Sequence, residues 1–345
     1  MSDQNDILAL DRAGLEAAAA QLRQPPYRAR QVERWLYARG AASFAEMTDL
    51  PNALRLQLSD HFTFQRPELV QRQVSADGTR KYLWRLADGV TVESVGIPAG
   101  DRLTVCFSTQ AGCAMGCAFC ATGINGLVRS LLPGEMVQQV MLVGEDFKQR
   151  VTNVVAMGQG EPFAAYGATL GALRFMNDSD GLGIGARHIT VSTCGLIPGI
   201  RRFSAEPEQF TLAVSLHSAI QSTRDTLMPG VRSYPLPLLR RTLLAYTQKT
   251  SRRVTFEYAL IDGVNDTEQA LAALDRFCQG LLCHVNIIPI NLVSGSNAAR
   301  SSAARIARFA KVLGTHGTEA SIRAERGTDI DAACGQLTQR HASGR

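Results

Sequence analysis

The chain has 345 residues, 45% of them apolar and 19% charged, with a formal charge of +5. At about 100–200 residues per domain there is room for one large domain and one small one, and the composition excludes a disordered or fibrous chain. No apolar run approaches the roughly 18–20 residues that span a bilayer. The start, Met1-Ser2-Asp3-Gln4-Asn5-Asp6, is polar and unlike a secretory signal, so the cytoplasm is the expected compartment, with no membrane partner.

Residues 7–62 read as short helices; in Tyr27–Tyr37 (YRARQVERWLY) apolar and aromatic groups recur at helical spacing. Residues 68–97 change period. Lys81–Leu86, Asp88-Gly89 and Val90–Val95 read as a β-hairpin. Between residues 21 and 90 there are eleven basic and seven acidic side chains. That surplus suits a polyanion such as RNA, though from charge alone a solvated basic surface is the better reading. From residue 103 the rhythm is strand then helix. The expected strands are 103–107, 151–157, 188–193, 210–216, 254–260 and 283–288; the expected helices include 134–148, 166–177, 235–249 and 267–279. Another strand is expected near 319–324. Six such units make a parallel sheet with right-handed crossovers, an open or partial (β/α)6 barrel, whose reactive groups sit at the C-terminal strand ends. The expected divisions are 1–62 helical accessory domain, 63–98 β-hairpin linker, 99–328 core and 329–345 C-terminal tail.

Four of the eight cysteines fall within fifteen residues. In a chain of this size and compartment a disulfide framework is not expected, and clustered thiols point to a metal or to redox chemistry. Cys113, Cys117 and Cys120 are spaced C-x3-C-x2-C in Gln110–Gly123 (QAGCAMGCAFCATG), directly after the first barrel strand. No second CxxC pair completes a zinc ribbon. Three thiolates can hold three corners of a four-iron cube and leave one iron open. This loop, with its aromatic residue before the last cysteine, resembles the radical S-adenosylmethionine (SAM) superfamily. The resemblance implies a 4Fe–4S cluster on Cys113, Cys117 and Cys120, whose open iron chelates SAM and cleaves it to a 5′-deoxyadenosyl radical.

Four later segments fall at expected strand ends: Gly158-Gln159-Gly160-Glu161-Pro162, Ser192-Thr193-Cys194-Gly195, Ser215-Leu216-His217-Ser218 and Asn286–Asn291. Singly, each also suits a turn, a cap or a core histidine. Together with YRARQVERWLY, SFAEMTDLP and LR near the N-terminus, they resemble the RlmN/Cfr family of radical SAM RNA adenosine methyltransferases over nearly the whole chain, most closely on its RlmN side. The implied SAM contacts are Gly160, Glu161, Ser192, Ser215, Leu216, His217 and Asn291. Gln159 stands where Met is usual, Phe163 where Leu is usual, and Cys194 adds a thiol with no assigned role.

By sequence alone Cys106 and Cys334 suit small buried hydrophobes. The resemblance makes both catalytic. An adenine C–H carbon is electron-poor, so direct transfer of a methyl cation to it is unfavourable. The implied route uses two SAM molecules per turnover. The Cys334 thiolate takes a methyl group from the first. The radical from the second removes a hydrogen atom from that S-methyl group, and the methylene carbon adds to the ring. Cys106 then attacks the linking sulfur, releasing methylated RNA and leaving a transient disulfide. Glu93, in Thr91-Val92-Glu93, is the implied acceptor of the ring proton, with Cys106 as a rival. The expected product is adenosine 2503 of 23S rRNA methylated at carbon 2, with adenosine 37 of tRNAs as a further substrate. Flavodoxin is the implied electron donor, and a monomer is expected. The alternatives are methylation of carbon 8 of the same adenosine, a radical SAM enzyme acting on a small molecule, and a non-catalytic RNA-binding protein with structural zinc.

Overall fold

The computed structural model describes residues 6–124, 126–291 and 298–337. Residues 1–5 and the last part of the expected tail, 338–345, lie outside them.

Three helices lead the chain: α1 (Arg12–Gln21), α2 (Tyr27–Tyr37) and α3 (Asn52–His61). The Asp11 side chain accepts the Gly14 amide and caps α1, and Pro26 precedes the first turn of α2. Next come β1 (Glu68–Val74), β2 (Arg80–Arg85) and β3 (Thr91–Ala99). The expected hairpin is β2–β3, turning at Asp88-Gly89, and a third strand extends it. β3 also pairs antiparallel with β4 (Arg102–Cys106), so the linker is part of the main sheet and not a separate tether.

After β4 a short hairpin, β5 (Gln110–Gly112) and β6 (Leu127–Ser130), brackets the cysteine loop and the single-turn α4 (Ala121–Ile124). The rest alternates as expected: α5 (Pro133–Phe147), β7 (Asn153–Ala156), α6 (Tyr166–Asn177), β8 (Ile189–Thr193), α7 (Ile197–Phe203), β9 (Thr211–Ser215), α8 (Gln221–Leu227), α9 (Leu236–Thr250), β10 (Val254–Leu260), α10 (Glu268–Cys278), β11 (Cys283–Pro289), α11 (Ala303–Thr315) and β12 (Glu319–Ile322). The sheet runs β1-β2-β3-β4-β7-β8-β9-β10-β11-β12, parallel from β4 onward, and stays open between its two edge strands. Strands buried on both faces read as continuous apolar runs, as Val254–Leu260 does. No helix among the described residues is long and apolar enough to cross a membrane.

The N-terminal helices do not form a core of their own. Leu8, Leu36 and Leu54 belong to one hydrophobic cluster with Val137, Phe175 and Val214. Ion pairs decorate the seam, Arg12 to Asp178 at 2.6 Å and Arg34 to Asp180 at 2.7 Å. Exposed pairs contribute ~0–1 kcal/mol each, whereas burying a leucine contributes roughly 1.5–3 kcal/mol, so apolar burial holds the seam. Its tightest point is Gly134, where a Cβ would lie 2.3 Å from the Leu8 carbonyl oxygen. Gly134→Ala gains up to ~1 kcal/mol of helix propensity but forces a backbone clash, and overpacking costs ~1–3 kcal/mol. Denaturant unfolding is expected to show a net loss of ~1–2 kcal/mol; an unchanged midpoint contradicts this seam.

Candidate functional site

The C-terminal ends of the parallel strands surround a cavity of about 210 Å³. Cys106 ends β4; Met157 and Gly158 follow β7; Ser192 and Thr193 end β8; Ser215 ends β9; and Arg323 follows β12, all in its wall. The cysteine loop closes one side, with Cys113, Cys117 and Cys120 in the wall. The loop is tight. Gly112 has φ +76°, and a Cβ there would lie 2.1 Å from the Gly126 carbonyl oxygen, so only glycine fits. Arg129 ties the loop's return strand down through Glu135 at 2.7 Å and Asp88 at 2.6 Å.

The second-strand motif is built around Glu161, buried and hydrogen-bonded. Its carboxylate accepts the Cys194 amide at 2.6 Å and the Phe163 amide at 3.0 Å. Burial holds its carboxyl above the usual range, against those bonds. The Gly160 φ is +101°, and a Cβ would meet the Gln110 side chain at 2.6 Å. Gln110 Oε1 in turn accepts the Glu161 amide at 2.8 Å. Ser192 and Ser215 face each other across β8 and β9, Oγ to Oγ 3.5 Å. His217 has a left-handed backbone, φ +50°. Its Nδ1 accepts the Ala259 amide at 3.0 Å, which assigns the proton to Nε2. Burial, then the charge of Arg224, lowers its pKa to about 3, so the ring stays neutral. Asn265 props this turn by donating to the His217 carbonyl at 2.6 Å.

The C-terminal segment returns across the mouth. The Ala121 amide donates to the Gly335 carbonyl at 2.7 Å, Thr122 Oγ1 to Leu337 at 2.8 Å, and Asn291 Nδ2 to Cys334 at 3.3 Å. Cys334 therefore lines the same cavity as Cys106, and Val95, Cys106, Ala332 and Leu337 pack as one apolar cluster. Burial pushes the Cys106 thiol up to about 12, and a charge on Cys334 adds to the push. Arg323 opposes it; its guanidinium feels Cys334 first, then Glu257 and Cys106, and lies 3.7 Å from Glu257.

Eleven of the thirteen expected site residues meet in this wall; Leu216 and Glu93 do not. Leu216 is fully buried in the main core, and its amide donates to the Glu257 carbonyl. Glu93 is buried beside Lys81, Oε1 to Nζ 3.5 Å, while Val95 and Ile97 on the same face of β3 enter the wall. Reading the sequence missed Glu257, Arg323, Asn265 and Arg224. A glutamate inside the apolar run Val254–Leu260 was a usable signal for the first; the others carried none.

The three thiols line one side of the cavity, and three thiolates with one position left open suit an iron–sulfur cluster. Burial pushes the Cys113 thiol up to about 12 and raises Cys120, so their deprotonation requires a strongly bound, thiophilic group.

Comparison with known proteins agrees with this geometry. The model of the ribosomal RNA large subunit methyltransferase N-terminal domain matches residues 5–64, and that of the radical SAM superfamily matches residues 107–274. A relative from Pelotomaculum thermopropionicum, named "Probable dual-specificity RNA methyltransferase RlmN", is 45% identical over 99% of this chain and 94% of its own. One of the same name from Gloeobacter violaceus is 47% identical over 93% and 91%. The crystal structure of a radical SAM methyltransferase from Sphaerobacter thermophilus superposes with a TM-score of 0.91, at 44% identity, covering 97% of this chain and 100% of that one. The chain belongs to the RlmN family of radical SAM RNA methyltransferases. Membership implies a 4Fe–4S cluster and SAM as cofactors.

The site depends on the returning segment, and that segment is anchored by the β1–β2 turn. Asp77 accepts the Gly327 amide at 3.2 Å and the Thr79 amide at 2.9 Å. Burial opposes ionisation there, but these bonds, with those from the Thr79 and Ser75 hydroxyls, lower the pKa to about 2. A depressed carboxylate stabilises the fold above its unfolded pKa and loses that contribution as pH falls through the folded one. The stability difference between wild type and Asp77→Asn is therefore expected to be constant above pH ~4 and to shrink toward pH ~2 in denaturant titrations. A difference that does not change over that range contradicts the anchor.

Proposed function

We propose that this protein methylates adenosine in RNA at carbon 2, on adenosine 2503 of 23S rRNA and on adenosine 37 of tRNAs, through an S-methylcysteine on Cys334. The observation that carries the reading is the presence of Cys334 and Cys106 in one cavity with the three cluster thiols. The N-terminal domain match supports an RNA substrate over a small molecule.

In this reading Cys113, Cys117 and Cys120 hold a 4Fe–4S cluster. When bound, it supplies the electron that cleaves SAM to an adenosyl radical. Glu161, Gly160, Ser192, Ser215, His217, Asn291 and the Leu216 backbone form the SAM site. The neutral His217 can donate through Nε2 without adding a cation beside the sulfonium. Cys334, the more accessible of the two thiols, would attack the methyl carbon of one SAM, release S-adenosylhomocysteine and carry the methyl group as a thioether. Removal of a hydrogen atom from the S-methyl group would leave a carbon radical that adds to carbon 2 of adenine, and the adduct would give up its unpaired electron to the cluster and its ring proton to Glu93. Cys106 would then attack the Cys334 sulfur, the carbon–sulfur bond breaking with its electron pair on carbon, which takes up a proton to become the methyl group as the two cysteines form a disulfide. Burial raises the Cys106 thiol, which disfavours it against Cys334 as acceptor of the first methyl group. Flavodoxin is the proposed electron donor, the protein the proposed monomer, and residues 1–62 the proposed RNA platform.

Cys334→Ala is expected to abolish methylation, by more than about 10³-fold, and to leave no methyl label from SAM on the protein. Cys106→Ala is expected to accumulate a covalent RNA–protein adduct, seen as a shifted band on a denaturing gel. Mass spectrometry of rRNA from a complemented deletion strain reads the modified carbon. Methyl at carbon 8 overturns the carbon 2 assignment, and turnover by Cys334→Ala overturns the route.

A further inference from the structure

Glu257 and Arg323 are in the cavity wall, and the scheme above uses neither. Glu257, in the middle of β10, is buried, and its Oε2 accepts a hydrogen bond from Asn286 Nδ2 at 2.8 Å. The two are register partners on β10 and β11, so the bond runs straight across the ladder. Arg323 follows the last residue of β12. Its amide donates to the Ile287 carbonyl at 2.9 Å, which extends the β11–β12 ladder and fixes where the side chain starts. Its guanidinium lies 3.7 Å from a carboxylate oxygen of Glu257. That is ion-pair distance and too long for a hydrogen bond. Among the described residues the guanidinium makes no hydrogen bond. Glu257 therefore compensates its charge and leaves its N–H donors for an acceptor inside the cavity.

Topology says which half of the cavity this is. β4 and β12 are the two ends of the parallel series, and β7, β8 and β9 lie between them. Glu161, Ser192 and Ser215 belong to those middle strands or their ends. Cys106 ends β4, and Arg323 begins the return from β12 that leads to Cys334. That returning segment packs back on β3 and β4 through Val95, Cys106, Ala332 and Leu337. Arg323 thus sits with the two cysteines, at the open seam of the sheet.

We propose that Arg323 recognises the target base: its guanidinium donates a hydrogen bond to a ring nitrogen of the adenine beside the reacting carbon. This rests on the RNA methylation reading above. Carbon 2 of adenine lies between two ring nitrogens, both acceptors. A donor on one of them fixes which edge of the base faces Cys334. It also draws electron density from the ring. The attacking carbon radical is electron-rich, and loss of the ring proton leaves charge on those nitrogens, so the contact strengthens as the reaction proceeds. The sulfonium of SAM gains nothing from a cation in the same place.

The test uses the anaerobically reconstituted full-length protein and an RNA stem-loop carrying the target adenosine, its 1-deaza analogue or its 3-deaza analogue. Wild type, Arg323→Met and Arg323→Lys are compared at equal iron content. Two readouts are taken in a single turnover, methyl label on Cys334 and methyl label on RNA. Arg323→Met is expected to load Cys334 to the wild-type extent and to methylate RNA at least about 100-fold more slowly, the loss that follows removal of one preorganised donor. Arg323→Lys, which keeps a charged donor, is expected to recover part of that loss. One of the two deaza RNAs is expected to slow wild type by a larger factor than it slows Arg323→Met, as for two partners in one contact. Equal rates for wild type and Arg323→Met on the adenosine RNA overturn the proposal, and so does equal slowing of both by each analogue. An Arg323→Met protein that folds and binds iron but leaves Cys334 unmethylated places Arg323 in the SAM site, which also overturns it. Should Arg323→Met fail to fold, the analogue comparison between wild type and Arg323→Lys decides by the same criterion. A wild type that puts methyl on neither Cys334 nor RNA refutes the methylation reading itself, whereas an active wild type with an indifferent Arg323 refutes this proposal alone.

Discussion

Donors from separate parts of the chain hold the carbonyls of the last described residues: Lys81 Nζ on Asp331, Asn291 Nδ2 on Cys334, the Ala121 amide on Gly335 and Thr122 Oγ1 on Leu337. The rest of the site depends on this closure. Without it, Cys334 would be a thiol on a polar tail. With it, Cys334 faces a wall built by the strand ends, the cysteine loop and Cys106. Each bond is worth ~0.5–1.5 kcal/mol. They act together with the packing of Ala332 and Leu337 on Val95 and Cys106.

Behind the wall, buried polar groups are tuned by neighbours rather than by water. Glu161 is desolvated yet doubly bonded to backbone amides, His217 is held neutral, and Glu257 is bonded to Asn286 at 2.8 Å with Arg323 beyond it. Preorganised dipoles of this kind cost nothing to reorient during reaction. They also explain the strained backbone at His217, which Asn265 over-determines through three hydrogen bonds, to the His217 and Ala259 carbonyls and from the Ile261 amide.

The parallel sheet was legible because doubly buried strands leave apolar runs that cannot be confused with their amphipathic neighbours. Val254–Leu260 was read to the residue, as was helix Tyr27–Tyr37. The C-x3-C-x2-C loop was legible because its spacing is local. What escaped was non-local. β1 alternates without an apolar signature and is an edge strand, so nothing in its own sequence announces that it joins the barrel sheet. The merging of the N-terminal helices into the main core leaves no mark on either segment alone. Nothing local in the sequence marks Arg224 or Asn265 as buried; tertiary packing buries both. Glu93 shows the converse: a motif position transferred by resemblance comes to lie one step behind the wall, paired with Lys81.

The central claim is that Cys106 and Cys334 act on each other in one cavity. Its most direct measurement is peptide mapping of the wild-type protein after a single turnover with RNA and SAM, quenched with a thiol-blocking reagent and no added thiol reductant. The account predicts a disulfide joining the Cys106 and Cys334 peptides, in proportion to methylated RNA. Methylated RNA formed while both cysteines remain free, or while Cys334 pairs with a different thiol, contradicts it.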